Sequence, residues 1–315
     1  MPATSSHSGG QQWLNGAVVI ITGAGSGIGA ASALELARRG ARPVLVDCDS
    51  AELARTCAAA GGDLLAIQAD VTVPADCQAM VRAVLQRHGR IDVVWANAGI
   101  SSFGPLAYTD PRAWQRCIDV NVLGTFHTVR AALPEIMRSK GQVVVSASVS
   151  SFAHPPCVSA YAASKAAVEA MCNAWRIELA AHGVGVSIMH ASWVSTPLAT
   201  EGNMHPGFRR LRATMPAVLN QDIDADHAAR LIVDGISARS RRIWVPGWVR
   251  VLHWLRPFLH TPWAERALRQ AAPEIEAHFI DLMNTHGVAA SSYPPRELAR
   301  SAGTAGKAPP NPADG

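Results

Sequence analysis

Short apolar runs alternate with helix-forming stretches along most of this sequence, and this alternation constrains the fold more than any other feature. The apolar runs occupy residues 17–22, 43–47, 64–68, 91–96, 142–147, 184–190 and 243–245. The helical patterns between them occupy residues 27–39, 50–60, 75–88, 111–137, 159–182 and 224–237. Repeated strand–helix units bring parallel strands into one sheet that has helices on both faces. The sequence therefore predicts a doubly wound α/β fold whose ligands bind beyond the carboxyl ends of the strands.

Composition divides the chain into one domain and its appendages. The 315 residues, of which 49% are hydrophobic, suffice for one large core, so we expect a single domain with appendages. Residues 247–286 are expected to form a helical extension, and the polar segments 1–13 and 287–315 disordered tails. The N-terminus lacks the apolar core of a signal peptide, and no apolar run reaches the ~20 residues that span a bilayer. We therefore expect a cytoplasmic protein, with peripheral association with a membrane as an open alternative.

Charge and candidate ligand groups exclude several classes of function. The net charge of +4 is modest and the basic residues are scattered, which argues against binding to nucleic acid. Only 17% of the residues are charged, below the ~25% average, so we expect buried subunit contacts or an apolar substrate. The six cysteines and twelve histidines show no metal-ligand spacing, so no metal site is predicted.

A glycine-rich turn joins the first apolar run to the first helical stretch. It reads Thr-Gly-Ala-Gly-Ser-Gly-Ile-Gly and spans residues 22–29. A strand, a glycine turn and a helix N-terminus together place backbone N–H groups and a favourable partial charge against a pyrophosphate. Glycines permit the tight turn and the close approach of the backbone. The spacing T-G-x-x-x-G-x-G, with Gly23, Gly27 and Gly29, describes the turn best and predicts a dinucleotide site.

Tyr161 and Lys165 lie one helical turn apart, so their side chains share a face of the predicted helix 159–182. Tyrosine has an ordinary pKa of about 10, and a neighbouring ammonium group favours the phenolate and lowers that pKa. Such a phenolate can remove a proton from an alcohol. Ser148 precedes Tyr161 by thirteen residues, and Asn121 lies further upstream.

In order and spacing, these motifs resemble the short-chain dehydrogenase/reductase family. The motifs that carry the resemblance are Thr22 to Gly29, Asp70-Val71, Asn97-Ala98-Gly99, Asn121, Ser148, Tyr161 with Lys165, and Thr196. The resemblance covers roughly residues 14–246 and implies a Rossmann-like fold and an oxidoreductase that acts on CH–OH groups with NAD(P).

Two departures from the family pattern are present. Ala191-Ser192 replaces the Pro-Gly that the family usually carries after its sixth strand, and we expect this change to alter the loop beneath the nicotinamide. Trp95-Ala96 precedes Asn97, where the family often has a small aliphatic residue and a second Asn. Neither departure removes a catalytic group.

The resemblance implies a role for each polar residue at the reacting end of the site. Tyr161 takes or donates the proton of the substrate hydroxyl, and Lys165 lowers the pKa of Tyr161 and holds the nicotinamide ribose. Ser148 hydrogen-bonds the substrate oxygen, and Asn121 organises a water beside the lysine. Only the spacing to Tyr161 selects Ser148 over its neighbours Ser146, Ser150 and Ser151.

The predicted cofactor is NAD rather than NADP. Asp47 ends the second apolar run, where an acidic residue accepts hydrogen bonds from the ribose hydroxyls and repels a 2′-phosphate. A simple cap of the following turn is the alternative interpretation. No Arg or Lys occurs at residues 24–26 or 48. The predicted cofactor contacts, most of them implied by the resemblance, are Gly23, Ser26, Gly27, Ile28, Gly29, Asp47, Asp70, Val71, Asn97, Ala98, Gly99, Tyr161, Lys165, Val194 and Thr196.

Residues 198–222 form a predicted long loop or broken helix that, in the family, covers the substrate. Its apolar side chains suit an apolar ligand, although buried packing explains them almost as well. Arg209, Arg210 and Arg212 within it form either a solvated basic face or a partner for an acidic group.

The segment 247–263 departs most from a minimal member of the family. Trp248, Val251, Leu252 and Leu255 fall on one face of a short predicted helix, and two arginines lie off that face. Aromatic and cationic residues in this arrangement suit a membrane interface, a cover over the substrate pocket or a subunit contact.

These observations together predict an NAD-dependent enzyme that interconverts an apolar secondary alcohol and its ketone, steroid-like or derived from lipid. A 3-oxoacyl reductase is one alternative, and a nucleotide-binding scaffold or redox sensor without turnover is another. We also expect a homodimer or homotetramer that is built from the helices at 111–137 and 159–182. Small side chains would allow close approach there, namely Ala131, Ala132, Ala166, Ala167 and Ala170.

Overall fold

Seven parallel strands form a single sheet in the order β3-β2-β1-β4-β5-β6-β7. The computed structural model describes residues 13–61, 63–288 and 292. The strands are β1 Val18–Thr22, β2 Arg42–Asp47, β3 Leu65–Gln68, β4 Val93–Ala96, β5 Gln142–Ser148, β6 Gly185–Ala191 and β7 Arg242–Val245. All seven predicted strands are present, each within two residues of its predicted bounds, and the doubly wound α/β fold is confirmed.

Helices cover both faces of the sheet because successive strand side chains point in opposite directions. Val18 and Ile20 of β1 join a core that includes residues of α3, α5 and α6, whereas Val19 and Ile21 join a second core with residues of α1 and α9. The helices before the C-terminal extension are α1 Gly27–Arg38, α2 Ser50–Ala59, α3 Pro74–His88, α4 Pro111–Ile118, α5 Gly124–Ser139, α6 Ser159–Glu178, α7 Pro197–Met204, α8 Pro206–Ala213 and α9 Ala225–Ser237.

The predicted helix 111–137 is not one regular helix. A π-helical segment, Asp119–Leu123, joins α4 to α5 and carries the buried side chain of Asn121. Single π turns inside α-helices occur often at functional sites, because the widened turn re-aims a side chain. The hydrophobic periodicity of the segment predicts a helix but contains no signal for the extra residue in that turn.

The sheet topology fixes where a ligand can bind. β1 pairs with β2 on one side and with β4 on the other. The connection that leaves β1 therefore runs toward β2, and the connection that leaves β4 runs in the opposite direction, toward β5. A crevice opens where they diverge, beyond the carboxyl ends of the strands. Both the glycine turn after β1 and the segment after β4 border this crevice.

The chain beyond β7 returns to the sheet's carboxyl-end side. It contains α10, Val249–Trp254, and α11, Arg266–His286. Ile275 and Phe279 of α11 pack with Phe208 and Leu211 of α8 in a separate apolar cluster. Apart from residues 13, 287, 288 and 292, the two predicted tails lie outside the described residues. Within the described part of the chain, every helix is too short or too polar to cross a membrane.

Candidate active site

The glycine turn after β1 has the backbone geometry that the sequence predicts for it. Gly23 and Gly27 have φ values of +67° and +56°, in the left-handed region where side chains are strained. A Cβ atom at Gly29 would lie 2.2 Å from the carbonyl oxygen of Gly23, so only glycine fits there. The start of α1 therefore packs directly against the turn, and the backbone N–H groups at this N-terminus face the crevice. This cradle fits a pyrophosphate group.

Asp47 lies at the carboxyl end of β2 and borders the same crevice. Its carboxylate accepts hydrogen bonds from the backbone N–H groups of Gly25, at 3.0 Å, and Asp49, at 3.1 Å. The N-cap of α2 is Asp49, which accepts from Ala51 and Glu52. Asp47 therefore bonds the backbone of the turn before α2, while Asp49 caps the helix itself. The carboxylate braces the glycine turn and still faces the crevice.

The floor of the crevice depends on Thr22 and Asn97. The Thr22 hydroxyl accepts hydrogen bonds from the backbone N–H groups of Asn97 and Ala98, at 3.0 and 3.1 Å. The side-chain amide of Asn97 donates to the carbonyl oxygens of Thr22 and Gly23. These bonds tie the segment after β4 to the glycine turn, so the two walls of the crevice are held at a fixed separation.

Asp70 forms the far end of the crevice with Arg116 of α4. Its carboxylate accepts hydrogen bonds from the backbone and hydroxyl of Thr72, and one oxygen lies 3.3 Å from the Arg116 guanidinium. Burial favours the protonated form of Asp70, but these hydrogen bonds and the positive charge outweigh it and lower the pKa. Asp70 is therefore an ionised acceptor at neutral pH.

The predicted cofactor residues come together in this crevice and in the cavity that adjoins it. The crevice is lined by Gly23, Ser26, Gly27, Ile28, Gly29, Asp47, Asp70, Val71, Asn97, Ala98, Gly99 and Thr196. The adjoining cavity is lined by Tyr161, Lys165 and Val194, and again by Ile28, Asn97, Gly99 and Thr196. The shared residues mark the junction of the two.

Asn121 connects the segment after β4 to α6. Its side-chain oxygen accepts from the backbone N–H of Ile100 at 2.8 Å, and its amide nitrogen donates to the carbonyl of Ile100 and the hydroxyl of Ser164, both at 2.9 Å. A Cβ atom at Gly99 would lie 3.2 Å from the Asn121 oxygen and 3.3 Å from Lys165 Nζ. Asn121 therefore orders the backbone beside the lysine.

Tyr161, Lys165 and Ser148 meet at the junction of crevice and cavity. Lys165 Nζ donates to the carbonyl oxygen of Ser146 at 2.8 Å and lies 5.5 Å from the centre of the Tyr161 ring. Burial raises the pKa of Tyr161 to about 12, and a hydrogen bond with Ser148 opposes that rise. Burial also lowers the pKa of Lys165 to about 8. In this structure burial outweighs the lowering of the Tyr161 pKa that the sequence predicts.

Two of the three other candidate serines, Ser146 and Ser151, have hydroxyl groups that bond other residues. The Ser146 hydroxyl accepts from the indole N–H of Trp95 and donates to Asn97, both at 2.9 Å. Ser151 donates to Glu169 at 2.6 Å. These contacts favour Ser148 as the serine whose hydroxyl hydrogen-bonds Tyr161. They also give a structural reason for Trp95, whose indole occupies a fully buried position that a small aliphatic residue would leave unfilled.

The segment after β6 carries the other departure from the family pattern. The backbone N–H of Ser192 donates to the carbonyl of Val245 at 2.8 Å, and Val194 pairs with Ile223 in an isolated bridge. Thr196 then caps α7 through its hydroxyl. This backbone hydrogen bond anchors the loop to the end of β7.

A largely apolar cavity of about 370 Å³ lies in front of Tyr161 and Ser148. Residues of α7, α8 and the segment after them form one wall, and the C-terminal extension forms another. The extension contributes Trp248, Leu252, Leu259, His260, Ala264, Glu265 and Leu268. Of the roles considered for residues 247–263, a position beside a cavity is the one that these contacts show.

The predicted apolar stripe of the extension is wrong in two of its four positions. Trp248 and Leu252 face the cavity, whereas Val251 and Leu255 are exposed. α10 contains only six residues and ends at Trp254, and a 3₁₀ turn, Arg256–Phe258, follows it. α10 ends before Leu255, so the regular helical repeat does not extend to that residue.

The three arginines of α8 serve structural contacts rather than an acidic ligand. Arg212 lies 3.0 Å from Asp222 and 4.4 Å from the ring of Trp193. Arg210 pairs with Glu274 of α11, and Arg209 donates to backbone carbonyls at the end of α7. The interpretation of these side chains as a partner for a substrate carboxylate finds no support.

Sequence reasoning misses Glu169, one helical turn beyond Lys165. Its buried carboxylate accepts from Ser151 at 2.6 Å and from Arg242 at 3.0 Å, and lies 3.1 Å from His190 Nε2. His253 of α10 lies 3.4 Å away. Burial favours the protonated form, but these partners outweigh it and hold the pKa of Glu169 far below its ordinary range. The only feature of the sequence that could have pointed to this buried carboxylate is a glutamate among small residues in α6.

Comparison with known proteins agrees with this geometry. The model of the short chain dehydrogenase family matches residues 17–206. The chain is 31% identical to 11-beta-hydroxysteroid dehydrogenase A of Sesamum indicum, over 89% of this chain and 84% of that protein. It is 31% identical to an uncharacterized NAD-dependent oxidoreductase of Mycobacterium tuberculosis, over 72% of this chain and 93% of that protein.

Solved structures are similar over most of the chain. A short-chain dehydrogenase/reductase from Burkholderia phymatum in complex with NAD is 30% identical, with a TM-score of 0.69 over 79% of this chain and 97% of that one. The 3-ketoacyl-(acyl-carrier-protein) reductase from Brucella melitensis complexed with NADH is 28% identical, with a TM-score of 0.67 over 74% and 97%. The chain, with its nucleotide crevice and adjoining pocket, therefore belongs to the short-chain dehydrogenase/reductase family and is an oxidoreductase that acts on CH–OH groups with a nicotinamide cofactor.

Proposed function

We propose that this enzyme interconverts an apolar secondary alcohol and its ketone with NAD, and that Tyr161 is the acid/base. The observation that carries the proposal is the position of Tyr161 and Ser148 between the nucleotide crevice and an apolar cavity of about 370 Å³. A substrate carbon in that cavity can meet both the cofactor and the tyrosine hydroxyl.

The proposed mechanism assigns one task to each polar group. NAD, held in the crevice by residues that include Gly23, Gly27 and Asp47, would supply the hydride acceptor for alcohol oxidation. Tyr161 Oη takes the hydroxyl proton, and Ser148 Oγ hydrogen-bonds the same substrate oxygen and stabilises its developing charge. The ammonium group of Lys165 favours the phenolate form of Tyr161, and Asn121 keeps the neighbouring backbone in place. In ketone reduction, the tyrosine hydroxyl returns the proton.

The preference for NAD over NADP rests on Asp47. Its carboxylate faces the crevice at the end of β2, where a 2′-phosphate would meet a negative charge. We expect a higher kcat/KM for NAD, and we expect Asp47→Ala combined with Cys48→Arg to erase or reverse that preference. Equal kcat/KM values for the two cofactors in the parent protein would contradict this assignment.

The substrate class follows from the cavity lining. Trp193, Phe208, Leu252 and Leu268 contribute apolar surface, which suits a steroid-like or lipid-derived substrate. The relative from Sesamum indicum, named as a hydroxysteroid dehydrogenase, supports this class. A 3-oxoacyl reductase is the second candidate, because the Brucella melitensis structure pairs that activity with NADH.

A substrate screen tests these proposals together. Purified protein is offered steroids, long-chain secondary alcohols, hydroxyacids and 3-hydroxyacyl thioesters while NADH absorbance is recorded, with the Tyr161→Phe variant as the blank. We expect turnover of steroids or long-chain alcohols. Turnover of thioesters alone would favour the second candidate. Cofactor binding without turnover of any substrate would favour the scaffold or sensor.

We further propose a homodimer or homotetramer that uses α4, α5 and α6. Trp114 of α4, Phe126 of α5 and Ile177 of α6 are large apolar side chains exposed to solvent on the single chain. Ala132, which the sequence suggests for this contact, is fully buried in the core of the chain and cannot reach a partner. A monomeric mass by light scattering would refute the proposal.

A further inference from the structure

The segment that forms one wall of the substrate cavity has a second, outward side. Between residues 248 and 268, the apolar side chains that line the cavity are Trp248, Leu252, Leu259, Ala264 and Leu268. The side chains that face solvent between them include five large apolar ones: Val251, Trp254, Leu255, Phe258 and Trp263. None of these five lines the cavity, so packing around a substrate does not explain them.

The outward side chains are unusually exposed for residues of their size. Trp254, Phe258 and Trp263 have exposed fractions of 76%, 65% and 85%, and Val251 and Leu255 have 61% and 48%. Single exposed apolar residues are common, but five in thirteen consecutive residues form a patch of the kind that marks a binding surface. We call these five residues the outer patch.

Positive charge surrounds the outer patch. Residues 247–269 contain four arginines and one glutamate; Arg269 pairs with Glu265 at 2.7 Å, and Arg256 lies 3.7 Å from Glu169. Arg250 and Arg266 are exposed beside the patch. Tryptophan and phenylalanine flanked by arginine match the composition of surfaces that lie at the boundary between lipid headgroups and acyl chains.

We propose that the outer patch docks this enzyme on a phospholipid surface that carries anionic headgroups. Trp254, Phe258 and Trp263 enter the headgroup region, and Arg250 and Arg266 contact the phosphate groups. The docked face is the outer side of the cavity wall, so docking would place the cavity close to the lipid surface.

A second copy of the chain fits the outer patch less well. In a two-fold contact the same patch would meet itself, and the arginines around it would approach each other with little acidic charge to offset them. An anionic lipid surface instead pairs these arginines with phosphate groups. Charge complementarity therefore favours lipid over self-association.

Vesicle flotation tests the proposal on the full chain. Vesicles are made of phosphatidylcholine alone or of phosphatidylcholine mixed with phosphatidylglycerol. The test variant combines Trp254→Gln, Phe258→Gln and Trp263→Gln. The control is Leu106→Gln, which removes a side chain that is 89% exposed in a different part of the chain. A third variant combines Arg250→Gln and Arg266→Gln.

We expect the parent and the Leu106 control to float with mixed vesicles, and the triple variant to bind them roughly tenfold or more weakly. The double arginine variant should lose the preference for mixed vesicles over phosphatidylcholine alone. Thermal unfolding and light scattering should show the triple variant folded, with the mass of the parent.

Three results would overturn the proposal. The parent protein could fail to float with either vesicle, or the triple variant could float as well as the parent. A lower mass of the triple variant in light scattering would show instead that a second copy covers the patch. Flotation needs no substrate, so its failure leaves the proposed oxidoreductase function standing, and absent turnover leaves the docking result standing.

Discussion

The nucleotide crevice and the apolar cavity are adjacent, but they are built in different ways. The crevice consists of strand ends and the turns that leave them, and glycine, aspartate and asparagine residues hold its backbone in place. The cavity wall consists of α7, α8 and the extension beyond β7, which reach it from distant parts of the sequence. The first region follows from local sequence, whereas the second depends on how remote segments pack.

Glu169 links the two regions. It lies one turn from Lys165 on α6, and its carboxylate accepts from Ser151, which follows Ser148, and from Arg242 of β7. His253 places the extension against the same carboxylate. A change in the extension can therefore reach the segment that carries Ser148 through this one carboxylate.

The largest expected effect comes from Tyr161→Phe, which should sharpen the distinction between the two regions. Loss of the titrating oxygen should lower kcat by roughly 10³-fold or more, while the ring still packs and NAD affinity stays nearly unchanged. Steady-state kinetics and NAD binding by calorimetry would measure the two separately. Activity within about tenfold of the parent would remove Tyr161 as the acid/base.

Ser148→Ala should have the next largest effect. Removal of one hydrogen-bond donor to the substrate oxygen typically lowers kcat by roughly 10²–10³-fold. Ser150→Ala is the matched control, because Ser150 also borders the cavity and bonds Ser148 through its backbone alone. Equal losses in kcat for the two variants would show that the loop, rather than the Ser148 hydroxyl, limits turnover.

Glu169→Gln tests the link between the regions through stability. The folded-state pKa of Glu169 lies below its ordinary value of 4.5, so the ionised carboxylate stabilises the fold above pH 4.5, and this stabilisation is lost as the pH falls below it. The variant should lose about 3 kcal/mol of unfolding free energy at pH 7, because the groups that bond the Glu169 carboxylate would then face a neutral amide.

Urea unfolding at pH 7 and below pH 4.5 measures this effect. The difference between parent and Glu169→Gln should shrink at the lower pH. Glu178→Gln, at the exposed end of the same helix, should match the parent at both. A difference that does not change with pH would contradict the role of the charge.

The smallest expected effect concerns the two faces of α10. Leu252→Ala should raise KM for apolar substrates roughly tenfold at most, because it removes buried contact area from the cavity wall. Its neighbour Val251 is exposed on the outer face, so Val251→Ala should leave KM unchanged. Equal KM values for the two variants, with apolar and small alcohols alike, would show that the extension does not shape the substrate site.

The sequence by itself determined the parts of this protein that depend on short-range patterns. Strand and helix positions follow from hydrophobic periodicity, and the glycine turn follows from the steric demands of residues 23–29. The side-chain pairing of Tyr161 and Lys165 follows from the helical repeat. Each of these features needs only neighbours a few residues away, so each is readable without the fold.

The tertiary structure decided the features that depend on distant partners. The π turn places Asn121 in contact with Ile100 and Ser164, which lie far from it in the sequence. Burial, which is a property of the whole fold, raises the pKa of Tyr161. The split of α10 into a cavity face and an outer face depends on where the extension packs. Periodicity shows which residues share a helix face, but the packing of segments far apart in sequence fixes which face is buried.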